Sequence, residues 1–198
     1  MQDLNILEYG ARPDGVTNNA AAIQAAVTIA GMTSGDSISL ELDRGGRVVI
    51  PAGRFLSGSV MLKSNVELHL QSGAVLLSSL RPEDIRPFRS ADADDDMDGW
   101  NGGFFLGACG EHNVTISGPG TIDGQGDKVF FDRNEDNGFH ECPKAVAEFR
   151  PRMMLFENIT DFTVCDVTLK DAAFWTLHMA GCKRVRIRDI RILNDDRG

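Results

Sequence analysis

From Gly46 onward the chain is written in short apolar runs, at 48–50, 60–62, 66–70 and 75–77. Most of these runs are separated by Gly, Ser, Asn or Pro, which is the pattern of short strands joined by tight corners. The first 45 residues differ. Residues 5–15 read as a short strand followed by a turn at Pro13-Asp14-Gly15. A single helix is then predicted over roughly residues 20–31. Thr17, Asn18 or Asn19 can cap it, alanine fills it, and Gly31 ends it. Ile23, Ala26, Val27 and Ala30 fall three or four apart and give the helix one apolar face.

The strand runs repeat. Asn65-Val66-Glu67-Leu68-His69-Leu70, Asn113-Val114-Thr115-Ile116, Asp161-Phe162-Thr163-Val164 and Arg184-Val185-Arg186-Ile187 each open on a polar residue and then alternate apolar with polar. Their starts lie 48, 48 and 23 residues apart. This suggests a unit of about 23 to 24 residues, with each 48-residue interval holding two units. Residues 153–171 lie over residues 176–194 at a shift of 23, apolar on apolar at most strand positions. Leucine-rich repeats share the length but need a Leu and Asn ladder and a helix in each unit, and neither is present. A β-sandwich rarely keeps such a period.

The expectation is therefore an all-β, right-handed parallel β-helix with an N-terminal capping α-helix. Residues 1–198 form one domain, with the first strand and capping helix in 1–45 and the coils in 46–198. The helix covers the open edge of the first coil. Two polar stretches, about 81–101 and 127–149, interrupt the rhythm and are expected to leave the solenoid as loops on its binding side.

Composition narrows the functional classes. The 21 glycines suit many tight corners. A formal charge of −9 excludes a general affinity for nucleic acid, and an acidic polymer would need a local basic patch. Cys109, Cys142, Cys165 and Cys182 match neither a zinc pattern nor a disulfide framework and read as buried free thiols. No apolar run approaches the length of a membrane span. Met1 leads straight into the domain, so the protein is cytoplasmic if Met1 is native, and otherwise secreted or periplasmic with its leader removed. The sequons at Asn113 and Asn158 carry weight only in the second case.

Several segments resemble glycoside hydrolase family 28, the polygalacturonases and their relatives. They are Tyr9-Gly10-Ala11 with Asp14-Gly15-Val16-Thr17, Val49-Ile50-Pro51-Ala52-Gly53, Leu62-Lys63-Ser64-Asn65-Val66, and Gly118-Pro119-Gly120-Thr121-Ile122-Asp123-Gly124-Gln125-Gly126. The closest runs from Arg150-Pro151 through Phe156 and Val167-Thr168-Leu169 to Phe174-Trp175-Thr176-Leu177-His178. The resemblance implies a metal-free, cofactor-free hydrolase that cleaves α-1,4 bonds of galacturonan or rhamnogalacturonan with inversion. Its partner would be a pectic oligo- or polysaccharide, with no nucleic acid or membrane involved. The family's ordered set of Asn-Thr-Asp, a paired Asp-Asp one coil later, Gly-His-Gly and Arg-Ile-Lys is absent. Catalytic residues are expected beyond Gly198, so the domain reads as truncated and the chain alone as inactive. Asp195-Asp196 sits a coil too early and reads as a solvated corner.

The resemblance points to Trp175, His178 and Arg150 as substrate-binding residues. An aromatic face stacks on a sugar ring, imidazole hydrogen-bonds a hydroxyl or carboxylate, and guanidinium grips a carboxylate with a fork of donors. A spacing of three would put Trp175 and His178 on opposite faces of a strand. Arg152 reads as a loop clamp, and Arg184, Arg186 and Arg188 as an outward basic stripe in solvent. Residues 94–99 mimic the start of a calcium loop but lack its Glu at position twelve, where Phe105 stands. His69, His112 and His140 have no clustered partners that suggest a metal. Two other classes remain open, a non-catalytic carbohydrate-binding or structural β-helix and a pectate lyase.

Overall fold

A computed structural model describes residues 2–32, 45–87, 103–126 and 150–194. Asp94–Gly99, His140, Cys142 and Asp195-Asp196 lie outside the described residues, as do most of the two interrupting stretches.

The chain winds through three parallel sheets in turn, and among the described residues four successive circuits lay one strand on each. The first sheet holds β1 (Gln2–Asn5), β3 (Gly46–Ile50), β6 (Glu67–Leu70), β9 (His112–Ser117), β12 (Thr160–Cys165) and β15 (Lys183–Arg188), in that order. The second holds β2 (Asp14–Asn18), β4 (Gly53–Ser57), β7 (Ala74–Ser78), β10 (Thr121–Asp123), β13 (Thr168–Lys170) and β16 (Arg191–Leu193). The third holds β5 (Val60–Met61), β8 (Phe104–Cys109), β11 (Arg152–Glu157) and β14 (His178–Ala180). This is the right-handed parallel β-helix that the repeat predicts.

The repeat length needs correction. Partners on the first sheet follow Arg47, Glu67, Thr115, Thr163 and Arg186, at steps of 20, 48, 48 and 23 residues. Each 48-residue step is thus one coil, not two. Nearly all of the additional residues fall between the second and third sheets, after β7 and after β10. An insertion at a corner lengthens the chain without disturbing the register of the strands on either side, so sequence spacing overcounts coils here.

In-register stacking puts like residues over one another inside the solenoid. Val48, Leu68, Ile116 and Val164 form one buried column, and Phe55, Leu76, Ile122 and Leu169 another, each continued in register by an exposed isoleucine, Ile187 and Ile192. Phe156 and Phe162 meet across a corner with ring centroids 4.2 Å apart. Each interior residue therefore packs on the coil above and the coil below.

The polar residue that opens each repeat has a conformational duty. Asn65, Asn113, Asp161 and Arg184 all adopt left-handed backbone, with φ of 61°, 52°, 60° and 53°. They turn the chain from the third sheet into the first. Asn tolerates this region best among residues with a side chain. The side chains also link the coils. Asn113 Nδ2–H donates to Asn65 Oδ1 at 3.0 Å, and the Arg184 fork meets Asp161 in two contacts of 2.7 Å.

The helix α1 (Ala20–Met32) buries Ile23, Ala26, Val27 and Ala30, the face that its spacing predicts. It lies so close to β3 that a Cβ on Gly46 would come within 2.6 Å of that of Ala30. Its Gln24 does the work of a strand. The side-chain amide donates to Met61 O at 2.9 Å and accepts from Met61 N at 2.8 Å, satisfying the edge of the third sheet. Asn19, 98% buried at the start of the helix, donates to Leu56 O at 2.9 Å and accepts from Arg12 N at 2.7 Å.

Ile116→Ala, in the middle of a column, should cost roughly 2–5 kcal/mol in a denaturant titration, because it leaves a void against two coils. Asn113→Val should cost about 1–2 kcal/mol from left-handed backbone strain alone, and Asn113→Gly should cost less. Comparing the two midpoints separates backbone strain from the lost hydrogen bond.

Candidate substrate-binding surface

The corner between β13 and β14 brings the site residues together. It starts at Asp171, which takes left-handed backbone with φ 46°. It then passes through Ala172 and Ala173, both buried against Gly126, where a Cβ would come within 2.5 Å of Ala172 O. Asn194 steadies it from the next coil. Its Oδ1 accepts from Ala172 N at 3.0 Å, and its Nδ2 donates to Thr176 Oγ1 at 3.3 Å. The neighbouring coil grips it as well: Met153 N donates to Trp175 O at 3.0 Å, and Arg150 Nε donates to Ala173 O at 2.6 Å.

The result is a compact group of aromatic rings and cations. The Phe174 and Trp175 rings lie 5.3 Å apart at 18°. Trp175 and His178 meet edge-on at 4.3 Å and 67°. Arg150 places its guanidinium carbon 5.1 Å from the Phe174 centroid, and Arg152 lies 5.5 Å from both Phe174 and Trp175, within cation–π range. Trp175 remains 50% exposed although its neighbours are largely covered. Arg152 Nε donates to His178 Nδ1 at 3.0 Å. The His178 pKa falls below the ordinary imidazole value, first through burial and then through the Arg152 charge, with Glu157 acting in the opposite direction. Burial also lowers the Arg150 pKa.

Trp175, His178 and Arg150 thus come together in one place. Two expectations change. Trp175 precedes β14 and belongs to the corner, whereas His178 is the first residue of that strand. The strand-alternation rule does not apply across that boundary, and the two rings touch. Arg152 is not a loop clamp: it begins β11, is only 8% exposed and binds His178. Its role was missed, as was that of Phe174. The shift of 23 holds the signal, since it lays Arg152 over Trp175 and Leu155 over His178, and the latter pair is in register.

Among the other candidates, Arg184, Arg188 and His69 are held in ion pairs or hydrogen bonds. Arg184 binds Asp161, and Arg188 lies 3.1 Å from Asp189 and 3.7 Å from Asp166, so acidic neighbours offset the stripe. His69 Nδ1 shares a hydrogen bond with Ser117 Oγ at 2.8 Å. Among the described cysteines, Cys165 is buried, Cys182 is half-buried and Cys109 is exposed at the end of β8, so the expectation of buried thiols fails for Cys109.

The fold and this surface define a right-handed parallel β-helix that displays aromatic and guanidinium groups beside its insertion-bearing corner. Two family profiles fit the sequence, Glycosyl hydrolases family 28 over residues 46–198 and Rhamnogalacturonase A/epimerase, pectate lyase-like, over residues 4–73. The chain belongs to glycosyl hydrolase family 28. It is 32% identical over 148 residues to an exo-poly-alpha-D-galacturonosidase of Dickeya chrysanthemi, a match covering 68% of this chain and 21% of that protein. It is 28% identical over 193 residues to a polygalacturonase, described as probable, of Vitis vinifera, covering 96% and 36%. The chain therefore spans about a fifth and about a third of these two relatives. The hyperthermoactive exopolygalacturonase of Thermotoga maritima has the same fold, with a TM-score of 0.70 at 23% identity, over 98% of this chain and 47% of that one.

With its pKa lowered in the fold, His178 takes up a proton later than it does in the unfolded chain as pH falls. Its contribution to stability is complete above the ordinary imidazole pKa and is lost as pH drops towards the folded value. Trp175→Ala should admit water to the ring and raise the His178 pKa towards that of a free imidazole, as NMR titration would show.

Proposed function

We propose that the protein to which this chain contributes hydrolyses α-1,4-galacturonosyl bonds of pectic polysaccharide with inversion, and that Arg150, Phe174, Trp175 and His178 bind the sugar chain. The observation that carries this reading is a half-exposed Trp175 beside Arg152 and stacked near Phe174, which Arg150 covers, in a member of family 28. The apolar face of a uronate ring suits an indole, and its carboxylate suits the donors of arginine. In this reading an acidic substrate meets local guanidinium groups on a chain whose net charge is −9.

Inversion needs one carboxylic acid on the leaving oxygen and one carboxylate on water, roughly 6.5–9.5 Å apart. The sequences Asn-Thr-Asp, Gly-His-Gly and Arg-Ile-Lys do not occur in the 198 residues. In this reading the chain is one part of a longer β-helix, and the reacting carboxylates belong to later coils. This chain orients the polysaccharide and does not cleave it.

Trigalacturonate titrated into the chain should bind without being hydrolysed. Trp175→Ala should weaken that binding by at least about fivefold, equivalent to ~1 kcal/mol. The full-length gene product should release reducing ends from polygalacturonate with inverted anomeric configuration by NMR. If that product binds galacturonate but never cleaves it, a non-catalytic carbohydrate-binding β-helix is the correct reading.

A further inference from the structure

We propose that Arg152 is a positioning residue for His178, fixing the imidazole as the neutral tautomer that carries its proton on Nε2 and donates it to the bound sugar. The proposal rests on the sugar-binding reading above and adds the protonation state that the site requires.

Hydrogen-bond chemistry carries the argument. A guanidinium group has donors and no acceptor, and it stays charged at all ordinary pH values. The Arg152 Nε–H at 3.0 Å from His178 Nδ1 can therefore only donate, and Nδ1 must present a lone pair. The single proton of the neutral ring then sits on Nε2. Protonating Nδ1 would cost this hydrogen bond and set two cations side by side. The groups that face the ring act on this balance together. Arg152 and burial oppose the charged form, Glu157 favours it, and burial is the largest of the three influences.

The surroundings hold the arrangement in place. Arg152 is 92% buried and begins a strand, so its guanidinium has little room to leave the ring. Its charge also lies beside the Phe174 and Trp175 rings. Trp175 touches the imidazole edge-on, which leaves the ring little freedom to turn over. His178 itself is fixed by its register with Leu155. A neutral Nε2–H is directional, so it suits a sugar hydroxyl or a carboxylate oxygen held in one orientation. An imidazolium would instead offer a second proton where Arg152 already stands.

The test is 15N-detected NMR of the histidine-labelled full chain, with the His178 signals assigned by their loss in His178→Asn. The wild-type protein should show an unprotonated Nδ1 and a protonated Nε2 at neutral pH. Arg152→Met should abolish the single tautomer and raise the His178 pKa, whereas Arg152→Lys, which retains a donor, should restore part of the tautomer preference. Digalacturonate binding should weaken about three- to tenfold in Arg152→Met, the worth of roughly one hydrogen bond. His178→Asn should add little to that loss in the double variant. A proton on Nδ1 in the wild-type protein overturns the proposal even if no variant folds. An unchanged tautomer in Arg152→Met overturns the positioning role alone. A lost tautomer with digalacturonate binding intact overturns the sugar-binding reading and, with it, the role given to His178.

Discussion

The structure rests on in-register stacking of one coil upon the next. No coil has an interior of its own. Leu68 is covered because Val48 lies on one side of it and Ile116 on the other, and the backbone hydrogen bonds of each strand are made to those same two neighbours. Burial and hydrogen bonding therefore depend on the same register. A shift of one residue would turn every inward side chain outward. This explains why the corners are so strictly specified while the loops between them are free to grow.

The strands and the helix were legible in the sequence because both follow a simple period. Ile23, Ala26, Val27 and Ala30 announce a helical face, and the opening residues Asn65, Asn113, Asp161 and Arg184 announce a repeat. Those four positions could be aligned without knowing their purpose, which is to hold left-handed backbone at a corner. The number of coils was not legible. A 48-residue interval is two short coils or one long one as far as spacing can say, and only the pairing of Glu67 with Thr115 decides between them.

The surface that binds sugar in the proposed reading was legible as a set of residue types and not as an arrangement. Trp175 and His178 stood out, but the alternation rule pushed them apart because the strand begins later than expected. Arg152 looked like loop chemistry because it was placed just before a coil, whereas it is the first residue of β11. The contact between Arg152 and His178 crosses from one coil to the next, over 26 positions of chain, and it appears only when the two coils are laid side by side. Chemistry on a solenoid is assembled across coils, whereas sequence is read along them.

Gln24 has a consequence for assembly. By taking up both hydrogen-bonding groups of Met61, it leaves the third sheet no free ladder at its first strand. A strand arriving from another molecule would find neither the N–H nor the C=O of Met61 open to it, so pairing cannot extend the third sheet past β5. The side chain that completes the first coil thus also closes that edge to a second chain.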